Sequence, residues 1–403
     1  MSSVIPVKKI PGVVVPGSTD VETFKDDSDY LRGSLVESFA NPITGAITEA
    51  DTQLIKFHGA YQQDDRDQRL RRQEKKLEPA YSFMIRMRMP GGELTADQWK
   101  KIDQISNTYG NETIKLSTRQ AVQFHGIIKF DLKKSIQMMD EALLDSIAGC
   151  GDVNRNVMCT PDPSLSEVNE EVYSFAKKIS EHLMPSSRAY HEIWLDEGKG
   201  EGRELVKGGE EEIEPLYGKH YLPRKFKIGI AIPPFNDSDV YINDIGLIAI
   251  VENGKLQGFN VAVGGGLGMT FGREDTRPRL ASEIGFCTPD QVLQVCAEVM
   301  MIQRDYGNRQ DRKLSRFKYT IDKYGLDWFV EELHARLGYE LAAIRPAVFT
   351  TTVDQYGWHK DRHGKWHLLL HVEHGRIQDT KQLQQKTHNL CWIVQRQLVS
   401  LTT

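Results

Sequence analysis

Cysteine is scarce in this 403-residue chain: five in all, Cys150, Cys159, Cys287, Cys296 and Cys391. No two of them stand in C-x2-C, C-x3-C or C-x5-C spacing. Neither a disulfide framework nor a zinc or iron–sulfur site is therefore expected from the spacing. Long apolar runs are missing too. No stretch of about 18 apolar residues occurs, which excludes a transmembrane helix. The N-terminus, MSSVIPVKKIPGVVVPGSTD, is poor in arginine and has no sustained apolar core before a small-residue cleavage site. Neither leader nor transit peptide is expected, and the cytoplasm is the expected location. Positive charge is not in excess, since the formal net charge is −5, and this argues against a nucleic-acid-binding domain. Phosphate-cradling motifs are absent: Gly264-Gly265-Gly266 with Gly268 puts Met269 where G-x-G-x-x-G needs its last glycine, and no Walker sequence occurs. No H-E-x-x-H and no Ser-His-Asp arrangement can be read.

What is present is organised. Residues 1–80 read as an extended arm, rich in Pro, Gly and Asp, closing in the charge run YQQDDRDQRLRRQEKKLEP. That run reads as a solvated helix with ion pairs along it. SFMIRMRM alternates as a strand, with Arg86 and Arg88 opposite Phe83, Ile85, Met87 and Met89. Thr95 and Gln98 form a capping box for a helix with the stripe Trp99, Ile102 and Ile105. A second strand segment, ETIKLSTRQAVQFHGIIKF, a helix from about Leu132 and the loop AGCGDVNRN complete a two-layer α/β unit. Further on come an amphipathic helix at 167–184 and an acidic Gly-rich surface loop at 196–215. YLPRKFKIGI, 221–230, reads as a strand, and two strands joined by Asn253-Gly254 form a hairpin. A helix follows with Thr288 as N-cap and Pro289 at its first position. Cys296 falls with Val292 and Val299 at helical spacing, as a packed apolar residue does. Beyond about 345, KWHLLLHVEHGRI resembles SFMIRMRMPGGEL, the start of a second copy of the unit. A final helix is expected to carry Leu383, Leu390, Val394, Leu398 and Leu401.

Cations recur where strands should pack. Phe226, Ile228 and Ile230 share one face of 221–230, which leaves Lys225 and Lys227 together on the other, just after Arg224. Arg86 and Arg88, Lys115 and Arg119, and Arg155 between two asparagines add to the set. QRDYGNRQDRKLSRFK adds Arg304, Arg309, Arg312, Lys313, Arg316 and Lys318. Each group alone reads as an ordinary exposed face, and 304–318 keeps a minor nucleic-acid reading open. Cations in core-forming stretches without matching acids call for an anionic ligand. Gln123 and His125 in QFHG share the face of Lys115 and Arg119 if the strand runs unbroken, although a lone histidine is more often structural. The glycines at 264–268 would let backbone N–H groups approach a carboxylate or a flat ring.

The motifs YLRG, FHGAYQQDDRD, RMPGG, STRQAVQFHGI, NRNVMCT, YLPRKFKIGI, GFNVAVGGGLG and QRDYGNRQDRK occur in this order. From about Tyr30 to Ile377 the chain resembles the siroheme-dependent sulfite reductase hemoproteins, β subunits whose plan the siroheme nitrite reductases share. The resemblance implies an α+β fold. A ferredoxin-like half-unit at 81–148 would follow the arm at 1–80. A larger α/β siroheme-binding domain would span 149–345, and a second half-unit would start at 346–403. It also implies six-electron reduction of sulfite to sulfide on siroheme bridged to a 4Fe–4S cluster. The electrons would come from a flavoprotein subunit or ferredoxin. By motif, Arg86, Arg155, Lys225 and Lys227 would surround sulfite. Lys115, Arg119, Gln123, His125 and Arg316 would contact siroheme or its carboxylates. Lys115 and Arg316 stand where the family would have Arg and Lys, so charge is kept and fork geometry changes. The family's cluster ligands, C-x5-C and then C-x3-C, are not in this chain, and the sequence after Ile377 departs from the family. The expectation is an incomplete reductase chain, inactive alone. A siroheme nitrite reductase and a non-catalytic fragment or binding module are the alternatives.

Overall fold

The computed structural model describes residues 16–190, 193–196, 203–207, 214–380 and 399–400. Helices α1 (Asp20–Asp26), α2 (Leu35–Ala40) and α3 (Glu49–Leu54) lead to strand β1 (Ala60–Asp64) and helix α4 (Arg66–Glu74). Next come β2 (Tyr81–Arg86), β3 (Glu93–Leu94), α5 (Ala96–Thr108), β4 (Ile114–Ser117), β5 (Ala121–Ile127) and α6 (Leu132–Glu141). β6 (Met158–Cys159), α7 (Glu167–His182), β7 (Ile193–Asp196) and β8 (Arg203–Lys207) precede β9 (Ile228–Ala231), β10 (Ile245–Glu252), β11 (Lys255–Val263) and β12 (Ser282–Cys287). Helices α8 (Val292–Tyr306), α9 (Phe317–Tyr324) and α10 (Leu326–Leu337) follow. The short strands β13 (Gly357–Lys360), β14 (Trp366–Leu369), β15 (Arg376–Ile377) and β16 (Val399–Ser400) end the order.

The mixture of helix and sheet is α+β. Five antiparallel strands form the first sheet in the order β1-β2-β5-β4-β15. Period-two alternation buries Phe83, Ile85, Val122, Phe124, Ile114 and Leu116 on one face, in one core with Trp99, Ile102 and Ile105 of α5 and Leu132 and Met139 of α6. The opposite face is polar. Arg86 pairs with Gln123, Gln123 with Lys115, and Lys115 with Arg376, so one row of Arg–Gln–Lys–Arg crosses four strands. The capping box is present: Thr95 accepts from the Gln98 N–H at 3.2 Å and Gln98 from the Thr95 N–H at 3.0 Å. Thr95→Ala is expected to cost about 1 kcal/mol in urea unfolding.

The second sheet, β12-β11-β10-β9-β6, is antiparallel on the β11 side and parallel where β9 lies between β10 and β6. Asn253 and Gly254 turn the β10–β11 hairpin with φ of 54° and 73°, the left-handed pair a tight hairpin requires. Val292, Cys296 and Val299 of α8 are fully buried beneath it.

Several expectations are corrected. The described part of the arm, 16–80, is four short helices and an edge strand rather than extended chain, because Leu31, Leu35, Leu54 and Phe57 enter the core. The strand read over 221–230 is confined to Ile228–Ala231; Tyr221 has φ of 55° and Pro223 has no N–H, so the chain enters β9 through a turn. α8 starts at Val292, because Gln291 accepts from the Thr288 N–H and closes a separate turn. Within the 196–215 segment expected as a loop, Arg203–Lys207 is strand β8, paired antiparallel with Ile193–Asp196; the rest of that loop, apart from 214–215, and the final helix expected beyond 382 lie outside the described residues. Val399–Ser400 is an exception, pairing antiparallel with Glu93–Leu94.

The two strand-and-turn segments share an element order, although their strands join different sheets. β2, a 3-10 turn at Pro90–Gly92 and β3 are matched by β14, a 3-10 turn at Glu373–Gly375 and β15. β15 adds to β4 of the first sheet. A Cβ on Gly375 would stand 2.3 Å from the Leu116 carbonyl oxygen, and the backbone closes there only because none is present.

Candidate active site

The site is assembled from the end of β2, the polar face of the first sheet, the loop after α6 and the turn into β9. Arg86 closes β2; its Nη1 donates to Cys150 Sγ at 3.0 Å. With its amide oxygen turned toward Arg86, Gln123 accepts from Nε and Nη2 at 3.1 and 3.2 Å. Arg155 folds back on its own glycine loop, donating to Gly151 O at 2.9 Å and Gly149 O at 3.1 Å. Burial lowers its guanidinium to about 10, with Arg86 and Arg224 adding to the effect. Phe226 fills the core between them and the second sheet, its N–H donating to Val153 O and its carbonyl accepting from the Arg155 N–H.

Lys225 and Lys227 flank Phe226; Lys227 O accepts from the Ile245 N–H, but among the described residues neither side-chain amine has a hydrogen bond or ion pair. Burial brings the Lys225 amine down to about 8, with Arg155, Arg316, Arg224 and Arg86 pressing on it. Lys227 falls to about 7 through burial, then Arg119, Arg316 and Lys225, with only Asp244 opposing. That carboxylate, wholly buried, is held by Arg316 Nη2 at 3.0 and 3.2 Å. Among the described residues, Arg316 Nε and Asn154 Oδ1 are buried without a hydrogen-bond partner.

Arg86, Arg119, Arg155, Arg316, Lys225 and Lys227 thus lie in one electrostatic field. Arg119 is committed to the protein: its nitrogens donate to Asn156 O, Ile228 O and Asn243 Oδ1, each at 2.8 Å at the closest. It braces the junction of the two sheets. Lys115 donates to His374 O. His125 reaches Gln63 at 3.2 Å and Gln123 at 3.3 Å, and burial and Arg86 lower its imidazole. Arg88 is paired with Asp145 at 2.8 Å and stands apart.

Two readings change. The N–H groups of Gly264, Gly265 and Gly266 donate to Asp244 O, Asn243 O and Arg279 O, so they are spent inside the protein. The run 304–318 is not a free basic face. Arg304 pairs with Asp305, Arg309 with Glu22, Arg312 with Asp152 and Arg316 with Asp244, while Lys318 holds the carbonyls of Gly266, Gly268 and Arg277. Asp244 and Asn156 were not singled out from the sequence. Asn156 joins Met89, Arg119 and Gln120 through three carbonyls and the Met89 N–H. A charged residue directly before the apolar run IGLIAI was the one signal for Asp244.

Half-buried amines without counter-charge, and an orphaned buried guanidinium nitrogen, suit a ring bearing many carboxylates and a small oxyanion. Siroheme is such a ring, and the residues fit it. They do not fit a 4Fe–4S cluster. Cys150, Cys159, Cys287 and Cys296 are buried, with burial raising the thiols of Cys159, Cys287 and Cys296. Among the described residues no group of three or more His, Cys, Asp or Glu could hold a metal ion. Cys391 lies outside the described residues.

Comparison with known proteins gives the family. Residues 75–142 match the nitrite/sulfite reductase ferredoxin-like half domain and residues 174–341 the nitrite and sulphite reductase 4Fe-4S domain. The chain belongs to the nitrite and sulfite reductase family. Within that family it is 56% identical over 369 residues to the sulfite reductase (NADPH) hemoprotein beta-component of Shouchella clausii, covering 92% of this chain and 64% of the relative. The namesake of Geobacillus thermodenitrificans is also 56% identical, over 90% of this chain and 62% of its own length. The structure of Mycobacterium tuberculosis NirA superposes with a TM-score of 0.67 at 25% identity, over 86% of this chain and 58% of that one. The chain therefore spans a little under two thirds of the curated relatives it matches. Among the described residues no helix is long and apolar enough to cross a membrane.

Proposed function

We propose that this chain is the siroheme- and sulfite-binding portion of a sulfite reductase hemoprotein, acting in six-electron reduction of sulfite to sulfide for sulfur assimilation. The pair Lys225 and Lys227 carries the reading: two half-buried amines with no acceptor among the described residues, while Asp244, the carboxylate acting on Lys227, is already held by Arg316. Siroheme, when bound, supplies the redox chemistry. Arg86 and Arg155 offer forked donors to oxyanion oxygens. Lys225 and Lys227, with amines near 8 and 7, can both hold an oxygen and release a proton to it near neutral pH. Gln123, Lys115 and His125 on the polar sheet face, with Arg316, suit the carboxylate rim, while Arg119 braces the site. A flavoprotein subunit or ferredoxin is the proposed electron donor, in the cytoplasm. The half-unit at 81–148 and the domain at 149–345 are the proposed halves of the site.

Siroheme added to the purified chain is expected to stay with it through gel filtration, and sulfite to shift its visible band. Failure to retain any absorbance would refute the reading, and a band moved by nitrite alone would favour nitrite reduction. The chain by itself is expected to show no 4Fe–4S signal and no viologen-driven sulfite reduction.

The two lysines also predict a pH response. Their folded pKa values are depressed to about 8 and 7, below the unfolded 10.5. Above these values the unfolded chain binds more protons, so the lysines contribute stability that grows as pH rises. The free chain is expected to melt higher at pH 8.5 than at pH 6.5. A bound anion reverses the preference: sulfite or sulfate is expected to raise Tm more at pH 6.5, where both amines are charged. Equal anion stabilisation at both pH values would count against the assignment.

A further inference from the structure

The turn that delivers Lys225 and Lys227 is held by cations whose side chains are engaged with acids and backbone carbonyls of the protein. Four consecutive carbonyls, those of His220, Tyr221, Leu222 and Pro223, all accept from buried or half-buried cations. Arg309 takes His220 O at 3.5 Å and Tyr221 O at 2.6 Å. Lys25 takes Leu222 O at 3.0 Å, and Arg312 takes Pro223 O at 3.3 Å. Two acids are shared among these three cations. Glu22 pairs with Lys25 at 2.6 Å and with Arg309. Asp152 holds Arg312 at 2.8 and 2.9 Å and stands 3.6 Å from Lys25, while its carbonyl accepts from the Leu222 N–H. Lys25 is wholly buried.

Such a network is costly to desolvate, and apolar residues would pack the same space as well. What it does that apolar packing cannot is fix carbonyl directions one by one. The turn needs that, because Tyr221 sits at φ 55°, a conformation a bulky side chain does not hold unaided. We propose that Lys25 and Arg309, through the carbonyls of residues 220–222, are positioning residues that set where Lys225 and Lys227 stand. This rests on the reading of those lysines as the anion-binding pair, and it gives helix α1 a role in the site that its distance in sequence conceals.

The test uses the full chain carrying Lys25→Met. Acetic anhydride labelling across pH, with chymotryptic cleavage after Phe226 to separate the two lysines, gives the ionisation midpoint of each. A loosened turn lets the amines reach water and escape the cations crowding them. The expected result is a rise of at least one unit in both midpoints, tenfold in proton affinity, with Lys100 unchanged as a surface control. The largest influences on the two amines are burial and Arg155, Arg316, Arg224 or Arg119, not Lys25 or Arg309, so a shift reports geometry rather than a deleted charge. A merely structural Lys25 would lower the melting temperature and leave the midpoints in place; that outcome, in a variant with wild-type circular dichroism, overturns the proposal. Should Lys25→Met not fold, Arg309→Lys decides in the same way, since it keeps the charge and gives up the fork on two carbonyls. Protection of Lys225 and Lys227 by added siroheme in the wild-type chain tests the underlying reading separately. No protection with shifted midpoints would refute the ligand and keep the clamp.

Discussion

Replacing Lys225 and Lys227 together by methionine is expected to weaken siroheme retention at pH 6.5 by at least a hundredfold. Each amine offers a charge-assisted hydrogen bond to an anion, worth about 1.5–3 kcal/mol, and two such losses give about 3–6 kcal/mol. The fold should not suffer. Neither amine has a partner among the described residues, and each is pressed by like charges, so methionine removes repulsion and leaves no acid stranded. The double variant is therefore expected to unfold at a higher urea concentration than the parent while binding less. Absorbance titration with siroheme and urea unfolding on the same protein check both halves. Undiminished retention would show that the anion is held elsewhere.

Asp244→Ala should do the opposite and strike the fold hardest. Asp244 is wholly buried, binds Arg316 through both oxygens and opposes the crowding on Arg119 and Lys227. Without it Arg316, already short of a partner at Nε, becomes a buried cation with no counter-charge. Removing one side of such a pair costs about 3–5 kcal/mol, readable as a shift in the urea midpoint at pH 7. Sulfate at high concentration should restore part of the loss by standing in for the carboxylate. A cost below about 1 kcal/mol would mean that Arg316 finds another acceptor.

These expectations draw on residues that were unequally visible in the sequence. Arg86, Arg155, Lys225 and Lys227 could be singled out because cations in apolar, strand-like stretches violate a local pattern, and such violations mark sites. Gln123 and His125 were read beside Lys115 and Arg119 on one unbroken strand, whereas the structure splits it into β4 and β5 with Arg119 in the turn between. Arg376 was not singled out, because its place in the row with Lys115, Gln123 and Arg86 depends on β15 joining a sheet whose other strands lie more than 240 residues earlier. The basic run at 304–318 misled for a related reason. Its acids are Glu22, Asp152 and Asp244, far away in the chain, so a stretch that looks like an exposed charged face is instead a set of internal struts.

What the sequence determined by itself was local: the alternation of SFMIRM, the Thr95–Gln98 cap, the Asn253-Gly254 hairpin, and a set of cations lacking acids nearby. Those features arise from periods of two and 3.6 residues and from turn chemistry, all settled within a few positions. Only the tertiary structure decided which cations keep a partner and which stay bare. Pairing across hundreds of residues is set by how the sheets and helix α1 close on one another. That closure gives Arg309, Arg312 and Arg316 their acids and, among the described residues, leaves Lys225 and Lys227 without any.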